Sequence, residues 1–387
     1  LHPRVRRQRQ MCIRDSYKDN ERLRLLVKII AVWLISRAVM LLMVPVMNLI
    51  ADEPHQWLYY MNPWDAEWYK GIVENGYQPP KSSGMASWAF FPLYPLVCMA
   101  VRLVTMGSID TYAVGMTVSN ICIIIAVYYA VKYADIELDM KKYNKKTVED
   151  IIIFLMLAGP FAVYYGAMYT EALFILCVIL CFYNSARHNY MAAGIAAAMA
   201  SATRIVGCML VFVLITYMFM ETCAECRAKH NSEMKDNKEA GIIDKCMLTE
   251  EAGILIAGNI SLASVIRTFI KNVIKEPKKL VAIMISPLGI FIYMNYLRYF
   301  CGDSWAFYHV QRAWRTQKMF PVIGVLFKSC TGQLSAASGV KTLNGIILGW
   351  LCVITLMLYA AMIRKKHYAP VSYTHLRAHE TRHDLVC

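Results

Sequence analysis

Four stretches of this chain, Ile29 to Ile50, Thr111 to Val131, Ile151 to Thr170 and Thr342 to Ile363, carry a single formal charge between them, Arg37. A helix that crosses a bilayer needs roughly 20 mainly apolar residues, and each stretch is long enough. Between Ile151 and Met220 the only charges are Glu171, Arg187 and Arg204. With 58% hydrophobic and 18% charged residues, the chain is too apolar for an ordinary soluble domain. The expected fold class is therefore all-α, a polytopic membrane protein.

Charge gives the orientation. In a soluble protein a net charge of +14 would suggest nucleic acid; here Lys and Arg gather in loops, as cytoplasmic loops do, and no basic stripe is interleaved with aromatics to stack bases. Arg22, Arg24 and Lys28 place the N-terminus in the cytoplasm. The loop from Asn48 to Ser87 holds five acids against two lysines and is external, whereas Lys132 to Asp150 holds five lysines and is internal. Arg187-His188, the insert from Glu221 to Lys279 and Arg364-Lys365-Lys366 are also internal. Parity then requires an odd number of crossings between Ser87 and Lys132, although two apolar stretches lie between them: either Trp88 to Val101, with Pro92 and Pro95, is re-entrant or interfacial, the reading preferred here, or the Lys132 loop is external despite its lysines. Ile151 to Thr170 runs outward, Ala172 to Ala186 inward, Asn189 to Thr203 outward, Ile205 to Met220 inward and Leu280 to Leu297 outward, giving about eight or nine membrane segments. Gly253 to Ile274 has cations every fourth residue (Arg267, Lys271, Lys275) and reads as a helix on the cytoplasmic surface. Cys301 to Lys341 is a second external loop.

Both ends differ from the body. Residues 1–16 and 371–387 are polar and non-periodic, resembling translated adaptor sequence, and are expected to be non-native. The domain then covers 17–370, with 221–279 as an insert and native sequence continuing beyond. Most of the 13 cysteines lie in apolar segments as small hydrophobes; Cys223 and Cys226 with His230 have a weak zinc-like spacing, and no metal site is assigned.

An ionisable side chain at membrane depth costs of order 2.5–3.5 kcal/mol on insertion scales, so each one needs a reason. Arg37 suits a partner for a carboxylate inside the bundle. Glu171, after Tyr169-Thr170, stands at a helix start where Thr170 could be the N-cap. Arg204, at an external helix end, is placed either to snorkel or to meet a phosphate. The first external loop contains Trp64-Asp65-Ala66-Glu67-Trp68-Tyr69, two carboxylates among three large aromatics; this is an interfacial aromatic belt or a sugar platform with a base. The second contains Gly302-Asp303, then Phe307, Gln311 and Trp314 on one helical face beside Arg312 and Arg315. That pattern fits a surface helix or the closure of a sugar site. There is no nucleotide-binding motif. Energy for synthesis outside the cell must come with a lipid-linked donor.

These motifs occur in an informative order. Trp64 to Tyr69 with Gly76-Tyr77, Phe90-Phe91-Pro92-Leu93-Tyr94-Pro95, Tyr169-Thr170-Glu171-Ala172-Leu173-Phe174, Ala202-Thr203-Arg204 with Gly207, and Gly302-Asp303 through Trp314 together resemble the PIG-V family of mannosyltransferases, over roughly Val27 to Arg315. Ala172 stands where the family usually has Ser, and the 221–279 insert is unusually long. The resemblance implies a GT-C membrane glycosyltransferase architecture and inverting transfer of mannose, or a similar hexose, from a polyprenyl-phosphate or dolichyl-phosphate donor to an extracytoplasmic glycan or glycolipid acceptor. Asp65, set above Glu67 by the resemblance, would be the base. Arg204 would bind the donor phosphate, with Arg37 or Arg312 in reserve. Trp64, Trp68, Tyr69, Tyr169, Glu171, Asp303, Gln311 and Trp314 would hold sugar or acceptor. No cofactor is expected, a divalent cation being left open. The partners are the two substrates and the bilayer, with no nucleic acid. The location is an integral membrane protein, in the plasma membrane if bacterial. The rival is a transporter or flippase of a lipid-linked sugar, disfavoured because no internal repeat is visible.

Overall fold

In the computed structural model, residues 3–50, 56–62, 64–80, 84–138, 142–159, 161–239, 262–313 and 330–331 are described, with side chains from Asn20 onward except at 47, 50, 230–239, 262, 312 and 313. The chain divides into two units. The first, residues 1–227 and 265–311, contains nearly every described element. The second, residues 228–264 and 312–387, contributes mainly the end of one long helix.

Among the described residues the structure is helical with no strand. The helices are α1 (Pro3–Ile50), α2 (Trp57–Met61), α3 (Asp65–Asn75), α4 (Leu93–Val104), α5 (Thr111–Glu137), α6 (Lys145–Leu157), α7 (Glu171–Ala186), α8 (Tyr190–Thr203), α9 (Leu210–Glu239), α10 (Leu262–Lys275), α11 (Pro277–Ile285), α12 (Leu288–Cys301) and α13 (Ala306–His309). Helix α1 passes through residues 3–16 without a break, while 371–387 and the apolar stretch 342–363 lie outside the described residues. Three helical stretches are long and apolar enough to cross a membrane: Asn20–Val46, Thr111–Glu137 and Ile205–Lys229. The pair α11–α12, bent by 43° at Ser286-Pro287, makes a fourth if it is one span; Pro287 offers no N–H to continue the ladder. Against the eight or nine segments expected from sequence, the described residues hold three or four spans by length and the shorter apolar α4, α7 and α8, the expected segment 342–363 lying outside them.

Three boundaries move for identifiable reasons. The expected span Ile151 to Thr170 is a helix that starts earlier, where Asn144 caps the Lys146 N–H at 3.0 Å, and ends at Leu157. The sequence Gly159-Pro160 disfavours helix just beyond, and 161–170 is a run of turns. The expected 16-residue segment ending at Met220 instead continues to Glu239, with Glu221 bonded to Lys279 (3.0 Å) and Tyr190 (2.9 Å). Helix α4 has 12 residues, roughly 18 Å at helical rise, short of the ~30 Å hydrocarbon core.

Helix α5 packs on α7, α7 on α8, and α8 on α11 and α12. The α8 sequence, Tyr190 to Thr203, is mostly Ala and Gly, and small residues allow close helix approach in a membrane. A Cβ on Gly194 would lie 2.7 Å from the Ala282 carbonyl oxygen, and one on Gly289 would meet the Ala198 carbonyl inside contact distance. Gly289→Ala is therefore expected to destabilise the protein by about 1–3 kcal/mol through overpacking, read as a lowered Tm in detergent. Gly71→Ala, with nothing within 4 Å, should gain up to about 1 kcal/mol.

Candidate active site

Helices α7 and α8 are antiparallel neighbours joined by the turn Arg187–Asn189, so the first residue of α7 and the residue after α8 meet at one end. Arg204 Nη1 donates to Glu171 Oε1 at 2.6 Å in a part-buried ion pair. The other oxygen, Glu171 Oε2, is buried without a hydrogen-bond partner. Helix α3 brings Asp65 to this pair. Burial on one side of Asp65 pushes its carboxyl above its ordinary value; the Glu171 charge adds to the rise and Arg204 opposes it. The side chain is otherwise exposed, and it makes neither an ion pair nor a hydrogen bond among the described residues. An acid in the first turn of a helix also complements the helix dipole, but this one is left with its lone pairs free.

Glu67 is two residues on, about 200° round the helix. It lies within electrostatic reach of Tyr112 at the start of α5, whereas Asp65 lies within reach of Glu171 and Arg204. Geometry thus separates the two carboxylates that the sequence left adjacent. Trp64, before α3, has φ 50°, a left-handed conformation rare for a bulky side chain, and the residue is 75% exposed. Trp68 is half-buried, one face stacked on Phe90 at 5.7 Å. Tyr69, expected to touch sugar, is buried. Its ring sits edge-on to Phe90, Tyr94 and Tyr169, its hydroxyl donates to Thr170 Oγ1 at 3.5 Å, and burial holds the phenol protonated. That bond also occupies the Thr170 hydroxyl, which does not cap α7 although Thr170 stands at the N-cap position.

The turns of 161–170 carry Tyr169 and Thr170, and side chains of other helices satisfy their backbone. Arg37 Nη1 donates to the Ala162 carbonyl at 2.9 Å, Asn120 Nδ2 to that of Gly166 at 3.2 Å and Ser119 Oγ to that of Tyr169 at 3.3 Å, while the Met168 N–H donates to Asn62 Oδ1 at 2.7 Å. Irregular backbone in a membrane protein requires such partners. Arg37 is accordingly a support for this segment, with no carboxylate partner among the described residues; its Nε and Nη2 are buried and unbonded. Asn62, Ser119 and Asn120 gave no signal in sequence, because a polar residue at an apolar helix surface is informative only once its neighbour is known.

In the second loop Gly302, with φ 78°, ends α12, a position that favours glycine. Asp303 Oδ1 accepts from the Trp305 N–H at 2.9 Å, and Oδ2 pairs with His309 Nδ1 at 2.7 Å. His309 was missed because a six-residue separation is not a helical contact spacing. Phe307 packs on Phe91 and Tyr293, and Gln311 is half-buried. The Arg312 side chain and Trp314 lie outside the described residues. Cys223 and Cys226 are free half-buried thiols.

This is a helical membrane protein whose cluster of carboxylate, guanidinium and phenol groups is built from the starts of α3 and α7 and the end of α8. The Mannosyltransferase (PIG-V) family model matches residues 23–238, more than half of the chain and all three parts of the cluster, and the chain belongs to that family. It is a membrane glycosyltransferase, a mannosyltransferase by family. The matched range stops before Gly302-Asp303. No curated protein and no solved structure matches the chain.

Proposed function

We propose that this protein transfers mannose, or a similar hexose, with inversion from a polyprenyl monophosphate to an acceptor at the external face of the membrane. The observation that supports this reading is the meeting of Asp65, Glu171 and Arg204 from three distant segments. The acceptor hydroxyl attacks the anomeric carbon as Asp65 takes its proton, and the bond from that carbon to the phosphate oxygen breaks with its electrons passing to the polyprenyl phosphate. Arg204, fixed by Glu171, faces the phosphate as its charge grows, where prepositioned donors act most strongly. Trp64 offers its exposed ring to a sugar face and Trp68 the face that Phe90 leaves uncovered. Tyr169 lies beside Asp65, and Asp303 and Gln311 contact the acceptor from the second loop. The test is turnover in detergent solution: purified protein is mixed with radiolabelled polyprenyl-phosphate mannose and extracted membrane lipids. A transferase moves label to a new product there. A flippase, having no two faces to connect, leaves the donor unchanged.

The placement requires 132–150 and Asp65 to lie on opposite sides of the membrane. A cysteine at Asn144 should be protected from an impermeant thiol reagent in intact cells and one at Ser82 labelled, both in a background without reactive native thiols. Labelling at Asn144 would make α4 part of a full crossing and would place Glu171 and Arg204 apart from the external substrate.

A further inference from the structure

We infer that α10 is an in-plane membrane helix that binds the anionic lipids of the leaflet opposite the Asp65 cluster. Its residues sort into rows four apart. Val265 and Val273 are buried and Phe269 meets Phe219 of α9 edge-on at 5.7 Å, so this row faces the bundle. About 100° further round stand Ile266, Ile270 and Ile274, which are 43%, 51% and 66% exposed. A further 100° on are Arg267, Lys271 and Lys275, all exposed and none in an ion pair with a described residue. An exposed isoleucine row beside a basic row is the pattern of a helix lying at the acyl–headgroup boundary, apolar side down and cations among the phosphates.

The level of α10 in the bundle supports the same occupant. Phe219 stands two residues before Glu221, the first charge after Arg204 on α9, and Asn272 Nδ2 donates to Glu225 Oε2 at 2.9 Å. Lys279, just past α10, bonds Glu221 at 3.0 Å. Both contacts and the exit of α10 therefore sit where the apolar part of α9 gives way to charge, which is where a bilayer surface would lie. A protein partner would not need three cations in line without an ion pair among the described residues; an anionic lipid surface rewards each of them about fivefold.

The proposal uses no property of the sugar site, and its test uses no activity. Full-length protein, in a background lacking reactive native thiols, carries an environment-sensitive fluorophore on Ile270→Cys or Lys271→Cys and is reconstituted into vesicles of phosphatidylcholine, alone or mixed with phosphatidylglycerol. Lipids spin-labelled on the upper acyl chain should quench the probe at 270 several-fold more than that at 271 in the mixed vesicles, and much less in phosphatidylcholine alone or in high salt. Adding R267Q and K275Q should weaken the lipid-bound state about 25-fold. Equal quenching at 270 and 271 would overturn the proposal. So would a probe at 270 hidden from both lipid and aqueous quenchers, which would mean that another part of the protein covers the row. Quenching at 270 indifferent to lipid charge would overturn the anionic-lipid assignment.

Discussion

Asp65→Asn is expected to lower mannosyl transfer by about 100-fold or more, the scale of a lost general base, while leaving the protein folded and inserted in the membrane. The fold should tolerate it because the Asp65 carboxylate makes no ion pair or hydrogen bond in the described structure and is open to solvent. Asn keeps the size and one acceptor oxygen but cannot take the proton of an attacking hydroxyl. Glu67→Gln is the matched control, two residues away on the same helix and within electrostatic reach of Tyr112; it should retain most of the activity. Initial rates with labelled donor, beside thermal unfolding of each variant, separate chemistry from folding. If the Asp65→Asn variant kept more than about a tenth of wild-type turnover, Asp65 would not be the base.

Arg204→Gln should cost transfer about 10²–10³-fold, as loss of a fixed transition-state donor does. It should also lower stability by about 1–3 kcal/mol, because the Glu171 carboxylate is left part-buried with neither oxygen paired. Two effects in one variant call for a second variant to part them. Glu171→Gln removes the ion pair but keeps the guanidinium, so it should recover part of the rate. Arg204→Lys keeps the charge without the planar fork and should fall between wild type and Gln. A kcat loss equal in Arg204→Gln and Arg204→Lys would point to geometry alone, and unchanged kcat in Arg204→Gln would remove the phosphate role.

Much of the fold was readable because membrane helices are written in long apolar windows: α1, α5 and the start of α9 lie where those windows lie. What went astray was where a helix ends inside an apolar run. Ile151 to Thr170 has the composition of a span, yet Gly159-Pro160 stops the helix, and the turns that follow survive only because Arg37, Asn62, Ser119 and Asn120 satisfy their backbone. No local pattern announces four partners from three other segments. The cluster was legible in outline, since charges in apolar sequence are costly and few. Its internal division was not. Asp65 and Glu67 are equivalent as text, and only the folded structure brings one within the field of Glu171 and Arg204 and the other within reach of Tyr112. Tyr69 shows the converse, an aromatic in a sugar-like motif that packing buries among Phe90, Tyr94 and Tyr169.

The central claim is that Asp65 takes a proton in a field set by Glu171 and Arg204, and the acid limb of kcat/KM, which reports the free enzyme's base, tests it most directly. Burial and Glu171 raise the Asp65 carboxyl, and Arg204 holds it down. Activity in the wild type should therefore fail, as pH is lowered, at a higher pH than an unperturbed aspartate would set. Glu171→Gln, which removes a neighbouring negative charge, should move that limb to lower pH, and the residual activity of Arg204→Gln should show it moved to higher pH. A limb that stays in place in both variants would contradict the account, because the titrating group would then lie outside this cluster.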